Sequence, residues 1–338
     1  MRGGLLPSSR RRQRFPRLAS KRLLRLLLLL AFLAVIPPIF FHFRLRRFNQ
    51  IRSRKCGWLK DPPLVCAHGG DSSKAAPNTM EAYRIALDAR VDCMEIDVSR
   101  SSDGVLFALH DRFLFSTLWD TRTLDTSITC PGRDLQRMSG NSSSKVGYLS
   151  KNEIKELDAG FQLSQEFQKQ EVPTVEDALA LISNSVKQVI LDAKVGPPSY
   201  EKSLAKDILS VVKKTHCKNC LIWAKSDIVG RDVIKLSKDV TVGYTVMKDP
   251  STGARSGLLR MKGAAVAGVY HPLIDQKLMR ILHGKGRKVY AWTVDDAESM
   301  KRMLLEHVDA IVTGNPSLLQ GLMQDMKTEC LEEGFSLP

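Results

Sequence analysis

Short apolar runs alternate with helix-like stretches along the chain from Asp61 onward. Eight of the runs have the length of strands: Leu64–His68, Cys93–Val98, Gln188–Lys194, Cys220–Lys225, Val240–Met247, Gly263–Tyr270, Lys288–Val294 and Val308–Thr313. Repeated strand–helix units predict a parallel sheet, and eight of them predict a closed (β/α)8 TIM barrel, an open doubly wound sheet being the alternative. A further strand-like run, Val105–His110, follows Val98 too closely for a parallel crossover, which needs a dozen or more residues. It predicts a hairpin with Asp103-Gly104 as its two-residue turn. If Ser102 faces Val105, paired positions sum to 207 and Asp97 stands opposite His110.

The polar segment 111–172 contains Cys130-Pro131-Gly132 and serine-rich turns at 139–144. It is too long for a simple strand-to-helix loop and predicts an insertion covering the barrel mouth. Within it, Asn152–Leu157 reads as a short helix with Asn152 as its N-cap, and Thr174 caps the next helix, Val175–Ser183.

Upstream of the barrel, Leu26–Phe41 is apolar but for Pro37 and Pro38. As a helix it would span about 24 Å against a hydrocarbon core of ~30 Å, a deficit that snorkelling arginines and local thinning can cover. Pro37-Pro38-Ile39-Phe40-Phe41 lacks the small residues of a cleavage site, so the expectation is an uncleaved signal anchor. An Arg-rich transit peptide to a plastid and a cleaved signal peptide are the alternatives. The expected organisation is a basic tail with its anchor at 1–60, a barrel domain at 61–325 and a C-terminal tail at 326–338.

Charge sharpens this division. The net charge of +15 would suggest nucleic acid if it were spread over a fold. Residues 1–60 hold 16 of the 51 basic residues and none of the 36 acidic ones, so the remainder balances 35 against 36. The globular part is neutral, which disfavours nucleic acid as a partner. The more basic flank of the apolar run is the N-terminal one, so the expected topology is single-pass, with a cytosolic N-terminus and a luminal or extracellular barrel. The sequon Asn141-Ser142-Ser143 could then carry a glycan.

Seven cysteines, an odd number, forbid complete internal pairing. Cys217-Lys218-Asn219-Cys220 has no matching second pair for zinc, and the expectation is buried thiols or one local disulfide.

The chemistry gathers at strand ends. Glu95 and Asp97 share one strand face, and two carboxylates pointing into a barrel repel unless a cation with a preference for oxygen ligands lies between them. An acidic strand facing solvent would read the same way. Asp192 and Lys194 share the face of another strand end, as a metal ligand beside a phosphate contact or as a salt bridge. His68 and His110 also end strands, and imidazoles can act as base and acid in phosphodiester cleavage.

These residues lie in a recognisable series. Leu64-Val-Cys-Ala-His68-Gly-Gly, Pro77-Asn78-Thr79-Met80-Glu81-Ala82, Met94-Glu95-Ile96-Asp97-Val98 and Asp103-Gly104 through Leu109-His110-Asp111 resemble the signature of the glycerophosphodiester phosphodiesterase family. Val172-Pro173-Thr174-Val175-Glu176, Ala291-Trp292-Thr293-Val294 and Val308 through Pro316 extend the resemblance over about residues 61–325. With the anchor, the likeness is to plant-type, membrane-anchored members. The resemblance implies a TIM barrel of the phosphatidylinositol-phospholipase type and Mg²⁺ or Ca²⁺ held by Glu95, Asp97 and Asp192. It implies His68 and His110 as the acid–base pair, and Lys194, Asn78 and Trp292 as substrate or phosphate contacts. The implied reaction cleaves a small-molecule or lipid-derived diester to glycerol 3-phosphate and an alcohol such as choline or ethanolamine. A lysophospholipase D, or a low-activity barrel retained for binding, is the competing expectation.

Three departures from the family pattern stand out: Gly69 for the usual Arg, Pro77 for the usual Glu, and Asp192 for a longer Glu. Lys74 offers a replacement for the lost positive charge.

Overall fold

The computed structural model describes residues 21–110, 138, 145–159, 170–249 and 252–336. The chain divides into two compact units, Met1–Ser53 and Arg54–Pro338. The first is described by α1 (Lys21–Cys56), a leucine-rich helix that contains Pro37 and Pro38 and runs on as far as Cys56. By length and composition it could cross a membrane.

The second unit is built on β1 (Leu64–His68), β2 (Cys93–Arg100), β3 (Leu106–Ala108), β4 (Gln188–Ala193), β5 (Cys220–Ala224), β6 (Thr241–Val246), β7 (Val266–Tyr270), β8 (Lys288–Trp292) and β9 (Ala310–Thr313). The strands follow the order β1-β9-β8-β7-β6-β5-β4-β2-β3, and a further β1–β2 pairing closes eight parallel strands into the expected barrel. Among the described strands only β3 is antiparallel, on the flank of β2.

That hairpin corrects the expected register. Val98 pairs Ala108, Ser99 pairs Phe107 and Arg100 pairs Leu106, so paired positions sum to 206 and Leu109, not His110, bonds Asp97 through its backbone at 3.0 Å. The turn has three loop residues rather than two: Ser101 N–H donates to Val105 O, and Gly104 takes φ 85°. A type I turn followed by a left-handed residue is the usual three-residue solution, and glycine takes that conformation without cost.

Two main cores fill the described part of the barrel unit. Inside it, Cys66, Cys93, Ile190, Leu221, Trp223 and Tyr290 meet across the strands. Trp223 occupies the space that a side chain at residue 268 would need, since a Cβ on Gly268 would come within 2.6 Å of its ring. Between strands and helices, a larger core joins Met94, Ile96, Val189 and Leu191 to the apolar faces of α2 (Met80–Asp88), α4 (Val175–Ile182), α5 (Leu204–Lys214), α6 (Asp227–Leu236), α7 (Gln276–His283), α8 (Ala297–Leu305) and α9 (Pro316–Glu332).

Thr174 caps α4 as expected, in a capping box with Asp177. In the insertion the cap is Ser150 rather than Asn152. Its hydroxyl and Glu153 close a capping box on α3 (Lys151–Lys155). The described parts of the insertion bury Met138, Val146, Ile154, Ala159 and Val172 against Phe107 and Leu109 of the hairpin, a satellite core of their own. Most of the expected mouth-covering segment, with Cys130 and Asn141, lies outside the described residues.

The expected local disulfide, Cys217–Cys220, is present, but it is not alone. Among the described residues three disulfides are formed: Cys56–Cys330, Cys66–Cys93 and Cys217–Cys220. Two of them join residues distant in sequence, where spacing offers no signal. Helix α9 also continues past residue 325, where the sequence places the start of a tail, and buries Met326 and Cys330.

Candidate active site

Because the eight strands run parallel, their C-terminal ends form one rim. His68 ends β1 and is the register partner of Glu95 on β2; Asp97, one pleat further on, is the partner of Asp192 on β4. Closure of the barrel thus places the three carboxylates in one cluster, with ligand oxygens all within 4.8 Å of one another. Lys194, just beyond β4, sets its ammonium 2.5 Å from Asp97 Oδ1 and in contact with Asp192 Oδ2.

The carboxylates are held from behind. Glu95 Oε2 accepts the Gly69 N–H at 3.0 Å. Asn78 donates through Nδ2 to Asp97 Oδ2 at 2.8 Å, and its Oδ1 accepts both the Asp97 N–H and the Tyr83 hydroxyl at 3.2 Å. Asn78 sits at φ 60°, a left-handed conformation that asparagine tolerates better than most residues. Its backbone N–H returns to Gly69 O at 2.8 Å. Gly70, at φ 88°, lets the loop pass close to α2: a Cβ there would lie 2.6 Å from the Ala82 backbone.

Burial and the neighbouring Asp97 push the Glu95 carboxyl well above the usual carboxylate range. Burial acts the same way on Asp97, but the Lys194 ammonium, His110 and His68 outweigh it and hold that carboxyl low. Burial lowers the His68 imidazole, against the pull of Asp97. Lys194 is buried too, yet Asp192, Asp97 and Glu95 keep it firmly protonated.

Three carboxylates face one ammonium, and Asp192 Oδ1 is buried without a hydrogen-bond partner among the described residues. An all-oxygen donor set with surplus negative charge and an unused acceptor fits a hard divalent cation. Glu95, Asp97 and Asp192 are the residues that could hold it.

His110 follows the hairpin onto the same rim and, with His68, is among the groups that depress Asp97. Trp292 ends β8 with its indole N–H buried and without a hydrogen-bond partner among the described residues. Its ring lies 6.0 Å from that of Tyr270, with the Lys225 ammonium 5.7 Å above it.

Asp295 is a rim residue that sequence reading passed over. It accepts from the Gly314 N–H at 2.7 Å and the Thr313 hydroxyl at 3.1 Å, and its charge raises the pKa of His68. Its only signal was its place directly after the Ala291–Val294 run.

The departures at 69 and 77 are neighbours in space, since a Cβ on Gly69 would stand 3.1 Å from Pro77 Cβ. Lys74 does not replace the lost cation. It pairs with the buried Asp71 at 3.1 Å and donates to Ser317 Oγ at 2.7 Å, which ties the loop after β1 to the start of α9.

Comparison with known proteins agrees with this arrangement. Residues 68–318 match the glycerophosphoryl diester phosphodiesterase family. The chain is 57% identical over 330 residues to the glycerophosphodiester phosphodiesterase GDPD4 of Arabidopsis thaliana, covering 97% of this chain and 94% of the relative. A glycerophosphodiester phosphodiesterase of Caldanaerobacter subterraneus is 28% identical over 264 residues, 77% of this chain and 98% of the relative. Among solved structures, a phosphodiesterase of Oleispira antarctica in complex with the product sn-glycerol-3-phosphate superposes with a TM-score of 0.64 at 23% identity, covering 78% of this chain and 97% of that one. On the length of the match and the identity to a relative of nearly equal extent, this chain belongs to the glycerophosphoryl diester phosphodiesterase family.

Proposed function

We propose that the protein hydrolyses glycerophosphodiesters to glycerol 3-phosphate and an alcohol, using the cluster at the barrel rim. The observation that carries this reading is the buried group of Glu95, Asp97 and Asp192, with ligand oxygens within 4.8 Å, beside Lys194 and within electrostatic reach of His68 and His110. The three carboxylates would hold Mg²⁺ or Ca²⁺. When bound, such a cation would supply positive charge to the phosphoryl oxygens. Lys194, kept protonated by its carboxylate neighbours, adds a fixed ammonium for the phosphate. One of His68 and His110 removes the proton of the attacking hydroxyl, and the other protonates the departing alkoxide; attack by water gives glycerol 3-phosphate directly, whereas attack by the substrate's own glycerol hydroxyl gives a cyclic phosphate that a water then opens with the two roles exchanged. Asn78 keeps Asp97 oriented. The buried indole N–H of Trp292 has the chemistry to donate to a glycerol or phosphate oxygen. Assay of the full-length protein over glycerophosphocholine, glycerophosphoethanolamine and lysophosphatidylcholine, with Mg²⁺, Ca²⁺ or EDTA, tests the reading. No cleavage of any diester with either cation would overturn it.

The anchor reading belongs with this proposal. The leucine-rich α1 would act as an uncleaved signal anchor, with the N-terminus cytosolic and the barrel luminal or extracellular. Three disulfides support an oxidising compartment. Resistance to alkaline carbonate extraction and a mobility shift on endoglycosidase treatment, lost in Asn141→Gln, are the expected results. Release by carbonate would contradict the anchor.

A further inference from the structure

We propose that the Cys66–Cys93 disulfide is a positioning element of the active site: it fixes the β1–β2 seam one pleat below His68 and so holds that imidazole against the carboxylates. The proposal rests on the role given to His68 above. It adds two residues that the reaction needs although they touch no substrate.

Strand periodicity places the bridge. Cys66 and Cys93 belong to the core inside the barrel, whereas Ala67 and Met94 face the helices. His68 and Glu95, two residues further along the same strands, therefore share the inner face with the cysteines. The register agrees, since Cys66 pairs Cys93 and His68 pairs Glu95. The bridge thus joins the same two strands as His68 and Glu95, directly beneath them, and both of its residues are fully buried.

The backbone alone holds His68 weakly. It is the last residue of β1, and the chain turns away at Gly69 and Gly70, both at positive φ. The pairing of β1 with β9 stops at Ala67, so the ladder holds His68 from the β2 side. The β1–β2 seam has three register pairs, against six between β2 and β4. This difference divides the site. Glu95, Asp97 and Asp192 all stand on β2 and β4, joined by the long seam, and His68 faces them across the short one. The other two disulfides lie elsewhere: Cys217–Cys220 closes a loop where β5 begins, and Cys56–Cys330 ties the segment before β1 to α9.

A disulfide confines the spacing of its two Cα atoms to a narrow range, whatever the hydrogen bonds beside it do. A misplacement of about 1 Å can cost about 10²-fold in rate. Loss of the bridge should therefore reach the reaction through His68 and leave the cation site, built across the longer seam, largely as it was.

The test compares full-length Cys66→Ala/Cys93→Ala and Cys66→Val/Cys93→Ala, the second of which refills volume without a bond, with Cys330→Ala and wild type, well below every melting temperature. Both bridge-free proteins should lose about 10-fold or more in kcat on glycerophosphocholine, while KM and the calorimetric Kd for Mg²⁺ or Ca²⁺ change by less than about threefold. Cys330→Ala, although less stable, should keep its kcat. In a His68→Ala background, loss of the bridge should cost less than about twofold, because the group it positions is gone. Wild-type kcat in either bridge-free protein would overturn the proposal. So would an equal fold-loss with His68 present or absent, an equal loss in Cys330→Ala, or free thiols at Cys66 and Cys93 in a peptide map of the active enzyme. Failure of the wild type to cleave any diester with either cation would instead sink the activity reading.

Discussion

Asn78 shows how much of the site depends on side chains that do no chemistry. It reads in sequence as a substrate contact, yet its amide is taken up by Asp97 and Tyr83. No local pattern reports such partners, because the bonds run from the loop after β1 to Asp97 on β2 and to Tyr83 on α2. His68, Glu95, Asp97, Asp192 and Lys194 stood out for the opposite reason: strand periodicity places them at strand ends, and the resemblance to the family signature suggested their roles. If the two imidazoles act as proposed, His68→Ala and His110→Ala should each lose about 10²–10⁴-fold in rate while the fold persists by circular dichroism. Near wild-type rates in both would make the histidines structural. If the carboxylates hold a cation, EDTA should lower the melting temperature, and Mg²⁺ or Ca²⁺ at a hundred times its Kd should restore about 2.7 kcal/mol. A melting temperature indifferent to chelator would exclude the site.

At the scale of elements, all eight barrel strands were visible as apolar runs, because a strand buried on both sides has little room for polar residues. The hairpin was visible too, but its register slipped by one. Dihedral preference at Gly104, rather than the Asp-Gly pair as such, decides between a two-residue and a three-residue turn. The insertion was legible only as a length. Its docking depends on Gly147, where a Cβ would fall 2.0 Å from Pro197 O in the loop after β4. Gly147→Ala should therefore destabilise the protein by about 1–3 kcal/mol in urea titration through overpacking. Gly104→Ala should cost about 1 kcal/mol or more, through backbone strain alone, since nothing stands within 4 Å of its Cβ position. Cleavage of the Gly147→Ala protein within the insertion at low protease, before global unfolding, would show that the docking contact fails first. Equal stability of wild type and Gly147→Ala would mean that the loop after β4 yields freely.

For the whole molecule, the division between a basic tail and a neutral barrel followed from charge alone, whereas the covalent link from Cys56 to Cys330 could not be foreseen across a separation of 274 residues. Removing it with Cys330→Ala should cost about 2–5 kcal/mol, with thermal melting as the measure, while Cys217→Ala, which opens a separation of only 3, should cost much less. Equal losses would show that packing at residue 330, and not loop closure, sets the effect. The link has a topological consequence as well. From residue 56 to residue 330 the backbone and one sulfur bridge form a closed ring. A single protease cut in the stretch between β6 and β7, near Thr252, would open that ring without dividing it. On a denaturing gel the nicked chain should run as one species until a reductant separates its two arcs.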